Sequence, residues 1–128
     1  MVVALYRLLR GVVLGRFLIL LTTRGRRSGL PRTIAIHYQR HGGDLVVCGS
    51  NAGRKGLPRW VHNIRADPAV KVQVGSRVLE CRADVLTGEE RRRVWAAWIA
   101  KDRGYASMQA RSDKEFPLVR LLPVTAGS

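Results

Sequence analysis

The sequence predicts an α+β fold in which a mostly antiparallel sheet closes into a small barrel flanked by helices. Three observations carry that expectation. Short runs rich in Val, Ile, Leu and Thr are each bounded by Gly, Pro or charged turn residues. Several of them alternate in polarity, as half-buried strands do. Three other stretches repeat their apolar residues at helical spacing. At 128 residues the chain has the size of one domain.

In chain order, Leu5, Leu8, Leu9, Val12 and Val13 recur at helical spacing with Arg7 and Arg10 off the stripe, predicting an N-terminal amphipathic helix over residues 1–16. Its expected role is packing on the domain; peripheral contact with a membrane surface is the alternative. Arg7, Arg10, Gly11, Gly15 and Arg16 break the apolar run well short of the ~20 residues a span requires. No small-residue cleavage site follows, so the segment does not read as a signal peptide.

Residues 17–123 form the expected barrel domain and 124–128 a tail. Phe17 to Thr23 reads as a buried strand ended by Arg24 and Gly25. Thr33 to Arg40 alternates: Ile34, Ile36 and Tyr38 face a core, while Thr33, Ala35, His37 and Gln39 form a small, polar wall. A turn at His41–Asp44 leads to a strand over Leu45–Cys48, and a glycine-rich loop spans Gly49–Gly56. Pro58 suits a helix start, with Trp60, Val61 and Ile64 on one face and Asp67-Pro68 as the stop. Val70–Val74 and Val78–Val85 make a hairpin about Gly75-Ser76. Thr87 and Glu90 have capping-box spacing, opening a helix expected to run to Arg103 with Val94, Trp95, Trp98 and Ile99 inward. Tyr105 to Phe116 is expected to be a loop with room for a helical turn, and Pro117 to Leu122 a last strand.

Charge narrows the function classes. The chain carries a net +14, and its first acidic residue is Asp44. Through Ala66 there are twelve basic residues and one acid, against eleven and eight in the remainder. Such a front half is built to meet an anion: nucleic acid, an anionic membrane or a polyanionic small molecule. Cys48 and Cys81 lie in apolar runs, which fits free buried thiols in a reducing, cytoplasmic setting. His37, His41 and His62 lack metal-ligand spacing, so no metal is expected.

The most concentrated chemistry lies between the first two strands. Arg24, Arg26, Arg27 and Arg32 bring four guanidinium groups together with Ser28, Gly25 and Gly29. Arg forks pair with phosphate or carboxylate oxygens, and glycines let backbone amides approach the same anion. A solvated basic turn has the same composition, and the spacing is not that of a Walker loop.

The stretch Leu21-Thr22-Thr23-Arg24-Gly25-Arg26-Arg27-Ser28-Gly29-Leu30-Pro31-Arg32 resembles the signature of the deazaflavin-dependent nitroreductases. His41-Gly42-Gly43, Gly49-Ser50-Asn51-Ala52-Gly53, Pro58-Arg59-Trp60-Val61-His62-Asn63, Ala66-Asp67-Pro68 and Ser112-Asp113-Lys114 follow in that family's order. The resemblance implies a split β-barrel, of the kind that also holds flavin mononucleotide, binding coenzyme F420, a 5-deazaflavin whose tail carries a phosphate and glutamates. It assigns Arg26, Arg27, Ser28 and Gly29 to the phosphate and Ser50, Asn51, Ala52 and Gly53 to the deazaflavin ring. Trp60 and Asn63 match positions beside the cofactor, although core packing explains Trp60 equally well.

The sequence departs from the family where the acceptor would sit. His37 stands in place of a tyrosine on the second strand, Tyr105 is kept, and Met108 replaces another tyrosine. The implied reaction is hydride transfer from reduced F420 to a small-molecule acceptor such as a quinone, nitroaromatic or conjugated carbonyl, with His37 the candidate proton donor. A histidine that is merely hydrogen-bonded within a strand is the competing explanation. A nucleic-acid-binding protein and a split barrel using flavin mononucleotide are the rival functions. Against the first, Trp60, Trp95 and Trp98 fall on helix faces instead of interleaving the basic turn.

Overall fold

In the computed structural model, which describes residues 2–8 and 17–124, six strands form a closed barrel in which every pairing is antiparallel. They are β1 (Leu18–Arg24), β2 (Pro31–His41), β3 (Asp44–Cys48), β4 (Ala69–Val74), β5 (Arg77–Val85) and β6 (Leu118–Pro123), in the order β1-β2-β3-β6-β5-β4. The helices are α1 (Val2–Leu8), α2 (Arg59–Ala66), α3 (Gly88–Lys101) and α4 (Gly104–Ala110). A 3-10 turn covers Asn51–Gly53.

Strand alternation fills the barrel from every side. Ile19 and Leu21, Leu45 and Val47, Val70 and Val72, Cys81 and Ala83, Val119 and Leu121 form one buried cluster, with Ile34, Ile36 and Tyr38 packed against it as their period-two spacing anticipates. From α2, Trp60, Val61 and Ile64 join the same cluster. A second cluster lies outside the barrel wall, where Val46, Cys48 and Leu118 meet fully buried Trp98 of α3. Val94, Trp95 and Ile99 pack on it, which is the inward face expected of this helix. Cys48 and Cys81 are free and buried.

Four local expectations are corrected. Thr87 makes no side-chain cap to α3, and Glu90 does not reach back to its amide. The Glu90 carboxylate instead accepts a 2.9 Å bond from half-buried Arg120, whose guanidinium also lies 3.4 Å from Asp44. A charged donor outcompetes a neutral amide for the same oxygen. Second, α3 stops at Lys101 instead of Arg103. Third, what reads as loop after Gly104 is helix α4; Asp102 Oδ1 accepts the Gly104 N–H at 3.2 Å and separates the two helices.

The fourth correction concerns α1. Leu5, placed on the packing stripe, is exposed, and Tyr6 is the buried residue. Its hydroxyl accepts the Gly75 N–H at 2.9 Å and donates to the Gln73 carbonyl at 3.2 Å, pinning α1 to the β4–β5 turn. The rest of the expected stripe, the Leu8 side chain with Leu9, Val12 and Val13, lies outside the described residues. So do Arg10, Arg16 and the tail beyond Val124. Among the described residues no helix is long and apolar enough to cross a membrane.

Candidate active site

The turn between β1 and β2 is shaped by hydrogen bonds of its own. Gly25 N–H donates to the Leu30 carbonyl and Gly29 N–H to the Gly25 carbonyl, both at 2.8 Å. Gly29 takes φ +71, a conformation that favours glycine. A Cβ on Gly25 would lie 2.7 Å from Ser28 Oγ and 3.2 Å from the Leu30 carbonyl, so the turn closes only around a residue without one. Ser28 Oγ accepts the Leu30 N–H at 3.1 Å, leaving its own O–H to donate outward.

Asn63 hooks this turn to α2. Its Oδ1 accepts the Arg26 N–H at 3.1 Å and its Nδ2 donates to Thr23 Oγ1 at 3.0 Å, both amide atoms being used within a buried side chain. Between turn and helix opens a cleft of about 860 Å³. Its apolar lining includes Ile34, Pro31 and Trp60; Arg26, Arg27, Arg32, Arg59 and Ser28 line it too, with no acidic residue among them. Trp60 is therefore both a core residue and a cleft wall.

Two residues of the expected cradle point elsewhere. Arg24 and Gly29 line a smaller cleft of about 240 Å³ across the hairpin, together with Asp67, Lys71 and Glu80. There the Arg24 guanidinium lies 4.0 Å from the Asp67 carboxylate. Arg59, conversely, was not singled out by the sequence. The signal was present: a cation in the first turn of a helix opposes the helix dipole and serves some other purpose.

The Ser50–Gly53 segment is not part of the cleft lining. Asn51 and Ala52 hold φ of +56 and +54, uncommon for residues with a Cβ and a feature that concentrates at functional sites. Asn51 Nδ2 secures the loop by donating to the Lys55 and Gly56 carbonyls at 3.1 and 3.2 Å. Above the loop, a Cβ built on Gly53 would stand 3.6 Å from Met108 Sδ, so α4 packs directly on it.

His37, Tyr105 and Met108 come together on the outer wall of the barrel, away from the arginine cleft. The His37 ring stacks on Tyr105 with centroids 6.1 Å apart and meets Trp98 edge-on at 5.7 Å. Its Nδ1–H donates to the Phe17 carbonyl at 3.2 Å, which makes Nε2 the basic nitrogen; Nε2 is buried and has no hydrogen-bond partner among the described residues. Burial, then the nearby Cys48 and Asp102, pushes the Tyr105 phenol up to about 12, so it remains a donor. Burial likewise pushes the Cys48 thiol up to about 12, leaving it protonated and unreactive. Among the described residues no three His, Cys, Asp or Glu side chains converge as a metal site would need.

The cleft fits a ligand with a phosphate-bearing, anionic tail: paired forks, a hydroxyl and apolar side chains, with no carboxylate to repel it. Known proteins agree with this chemistry. A chain described as an F420H(2)-dependent quinone reductase from Mycobacterium tuberculosis is 28% identical over 106 residues, covering 80% of this chain and 71% of its own. The solved structure of an F420-H2 dependent reductase is 32% identical, covers 83% of this chain and 94% of its own, and superposes with a TM-score of 0.74. A FAD-binding protein of Mesorhizobium loti, 14% identical with a TM-score of 0.58 over 98% of this chain and 89% of its own, shares the fold alone. The sequence model for F420H(2)-dependent quinone reductase matches residues 1–123, and the chain belongs to that family of split-barrel oxidoreductases that use coenzyme F420.

Proposed function

We propose that the protein reduces a quinone-type small molecule with reduced F420, holding the coenzyme's phosphate at the β1–β2 turn and the acceptor under α4. The observation that carries this reading is the cleft ringed by Arg26, Arg27, Arg32 and Arg59 without an acid among its lining residues. When bound, the coenzyme supplies the hydride from its ring carbon. Arg26 and Arg27 grip phosphate oxygens, and the outward Ser28 hydroxyl adds a donor. Ser50, Asn51, Ala52 and Gly53 offer backbone groups to the ring, the left-handed φ values of Asn51, Ala52 and Gly53 fixing the direction of those groups.

The acceptor must gain a proton as well as the hydride. His37 Nε2 is the ring nitrogen left to carry that proton, since Nδ1 is committed to the Phe17 carbonyl; it lies buried against Trp98 and Tyr105, so giving the proton to an acceptor requires that cover to open. Tyr105 and Met108 bound the acceptor from α4, with the Tyr105 phenol as a hydrogen-bond donor. Nucleic acid is disfavoured as a partner because none of Trp60, Trp95 and Trp98 is exposed, so no row of aromatic faces lies open along the basic turn. Free, buried thiols accord with a cytoplasmic setting.

Fluorescence titration with F420, flavin mononucleotide and duplex DNA tests the reading. F420 should bind in preference to the other two, and the double variant Arg26→Ala, Arg27→Ala should bind it at least ~100-fold more weakly, each charge-assisted contact being worth ~1.5 to 3 kcal/mol. Unchanged affinity in the double variant, or tighter binding of either rival, would reject it. Peripheral membrane contact through α1 belongs to the same proposal, since Val2, Leu5, Arg7 and the neighbouring Phe17 are exposed. Co-sedimentation with anionic vesicles, lost on Leu5→Asp, is the expected result; recovery of the wild type entirely in the supernatant removes this part.

A further inference from the structure

Among the described residues, Arg59 has no ion-pair or side-chain hydrogen-bond partner within the chain. The first turn of a helix carries partial positive charge, which favours acids and repels a guanidinium. The first turn of α2 holds no acid, Arg59 is exposed, and among the described residues no carboxylate lies within 4.0 Å of it. A cation placed at a cost to its own helix serves something outside the chain.

Its position shows what that is. Asn63 ties α2 to the Arg26 amide, and Arg59, four residues earlier, lies on the same helix face. Arg59 therefore enters the cleft from the helix, whereas Arg26, Arg27 and Ser28 enter from the β1–β2 turn. Arg32 belongs with the turn: its Nε lies 3.6 Å from the point a Gly25 Cβ would occupy. The cationic wall thus has two parts on different elements: the turn, held where Asn63 hooks it, and Arg59, one helical turn away along α2. A single compact anion needs only the turn. A ligand with two anionic groups on one chain uses both.

We propose that Arg59 is a specificity-determining residue of the cleft: the turn takes the phosphate, and Arg59 takes a second anionic group of the same ligand, a carboxylate of the glutamate tail. This rests on F420 being the ligand. The length of the anionic tail, and not only the deazaflavin ring, then sets affinity.

Two forms of the coenzyme, with its glutamates and with them removed, separate the two parts of the wall in a fluorescence titration of the intact protein. Arg59→Ala should weaken the glutamylated form about tenfold or more, the loss of one charge-assisted contact, and leave the trimmed form within about twofold of wild type. Arg26→Ala should weaken both forms. Arg59→Lys keeps the charge without the fork and should recover part of the loss. The melting temperature of ligand-free Arg59→Ala should equal or exceed that of wild type, because a cation has left a positive helix end. An equal loss for both forms, or no loss for either, overturns the assignment. If wild type binds neither form, F420 itself is the wrong ligand and Arg59 falls with it.

Discussion

His37 is hydrogen-bonded at Nδ1 and, among the described residues, unpartnered at its buried Nε2, and that asymmetry makes its role testable. Gln at this position can still donate to the Phe17 carbonyl, as Nδ1–H does at 3.2 Å, while lacking a nitrogen that takes up and returns a proton. His37→Gln should therefore lower kcat at least ~30-fold for a quinone, below the full ~10² to 10⁴ of general acid help because solvent supplies part of the proton, and leave F420 affinity nearly intact. Stopped-flow oxidation of the reduced coenzyme decides it: equal rates in the two proteins would mean that His37 only lines the wall. The polar side of β2 was legible because strand alternation sets Thr33, Ala35, His37 and Gln39 apart from Ile34, Ile36 and Tyr38. What covers that side was not. Trp98 and Tyr105, which sandwich the imidazole, come from helices more than sixty residues later in the chain. The division of the basic turn was hidden for a similar reason. Arg24 is drawn across the hairpin toward Asp67, and no local pattern around Arg24 announces that partner.

Among the elements, α1 is the one whose anchoring depends on a single side chain. Tyr6 gives and receives a hydrogen bond at the β4–β5 turn, and burial raises its phenol pKa, consistent with a hydroxyl that stays protonated while serving both. Tyr6→Phe keeps the ring and removes both bonds, which should cost about 1 to 2 kcal/mol and several degrees of melting temperature. Hydrogen exchange should quicken in residues 2–8 while the barrel strands keep their protection; uniform loss of protection would show that α1 is part of the barrel's cooperative unit. The barrel strands were legible to within a few residues, since period-two alternation and the Gly75-Ser76 turn are local signals. The packing face of α1 was not, because leucines at helical spacing suggest a stripe while the residue that docks is chosen by a hairpin turn near residue 75. Likewise, Thr87 and Glu90 have the spacing of a capping box, but Arg120, thirty residues on, takes the Glu90 carboxylate. Local rules failed wherever a distant charged or hydrogen-bonding group competed for the same atom.

At the scale of the whole molecule, the buried titrating groups define a pH window for stability. Burial raises the pKa of Cys48 from 9.0 to about 12 and of Tyr105 from 10.0 to about 12, and it raises Cys81 and Tyr6 in the same direction. Each of these groups holds its proton more tightly folded than unfolded. Above about pH 9 the unfolded chain therefore releases protons first, and stability falls as pH rises toward the folded values. His41 works in the opposite sense: burial, then Lys101, lowers its pKa below 6.5. The unfolded chain takes up that proton first, so the His41 contribution is present above about pH 6.5 and is lost as pH falls through the folded value. The urea midpoint should accordingly be highest between about pH 6.5 and 9 and decline on both sides. Cys48 has a large upward shift and lies in the cluster against Trp98, so its removal should alter the alkaline side specifically. Cys48→Ala should lower the midpoint at pH 8 by the loss of a buried sulfur, yet fall less steeply than wild type between pH 9 and 11. A parallel decline in the two proteins would place the alkaline loss elsewhere, in the Tyr6 and Tyr105 phenols or in Cys81, and would remove the Cys48 thiol from the account.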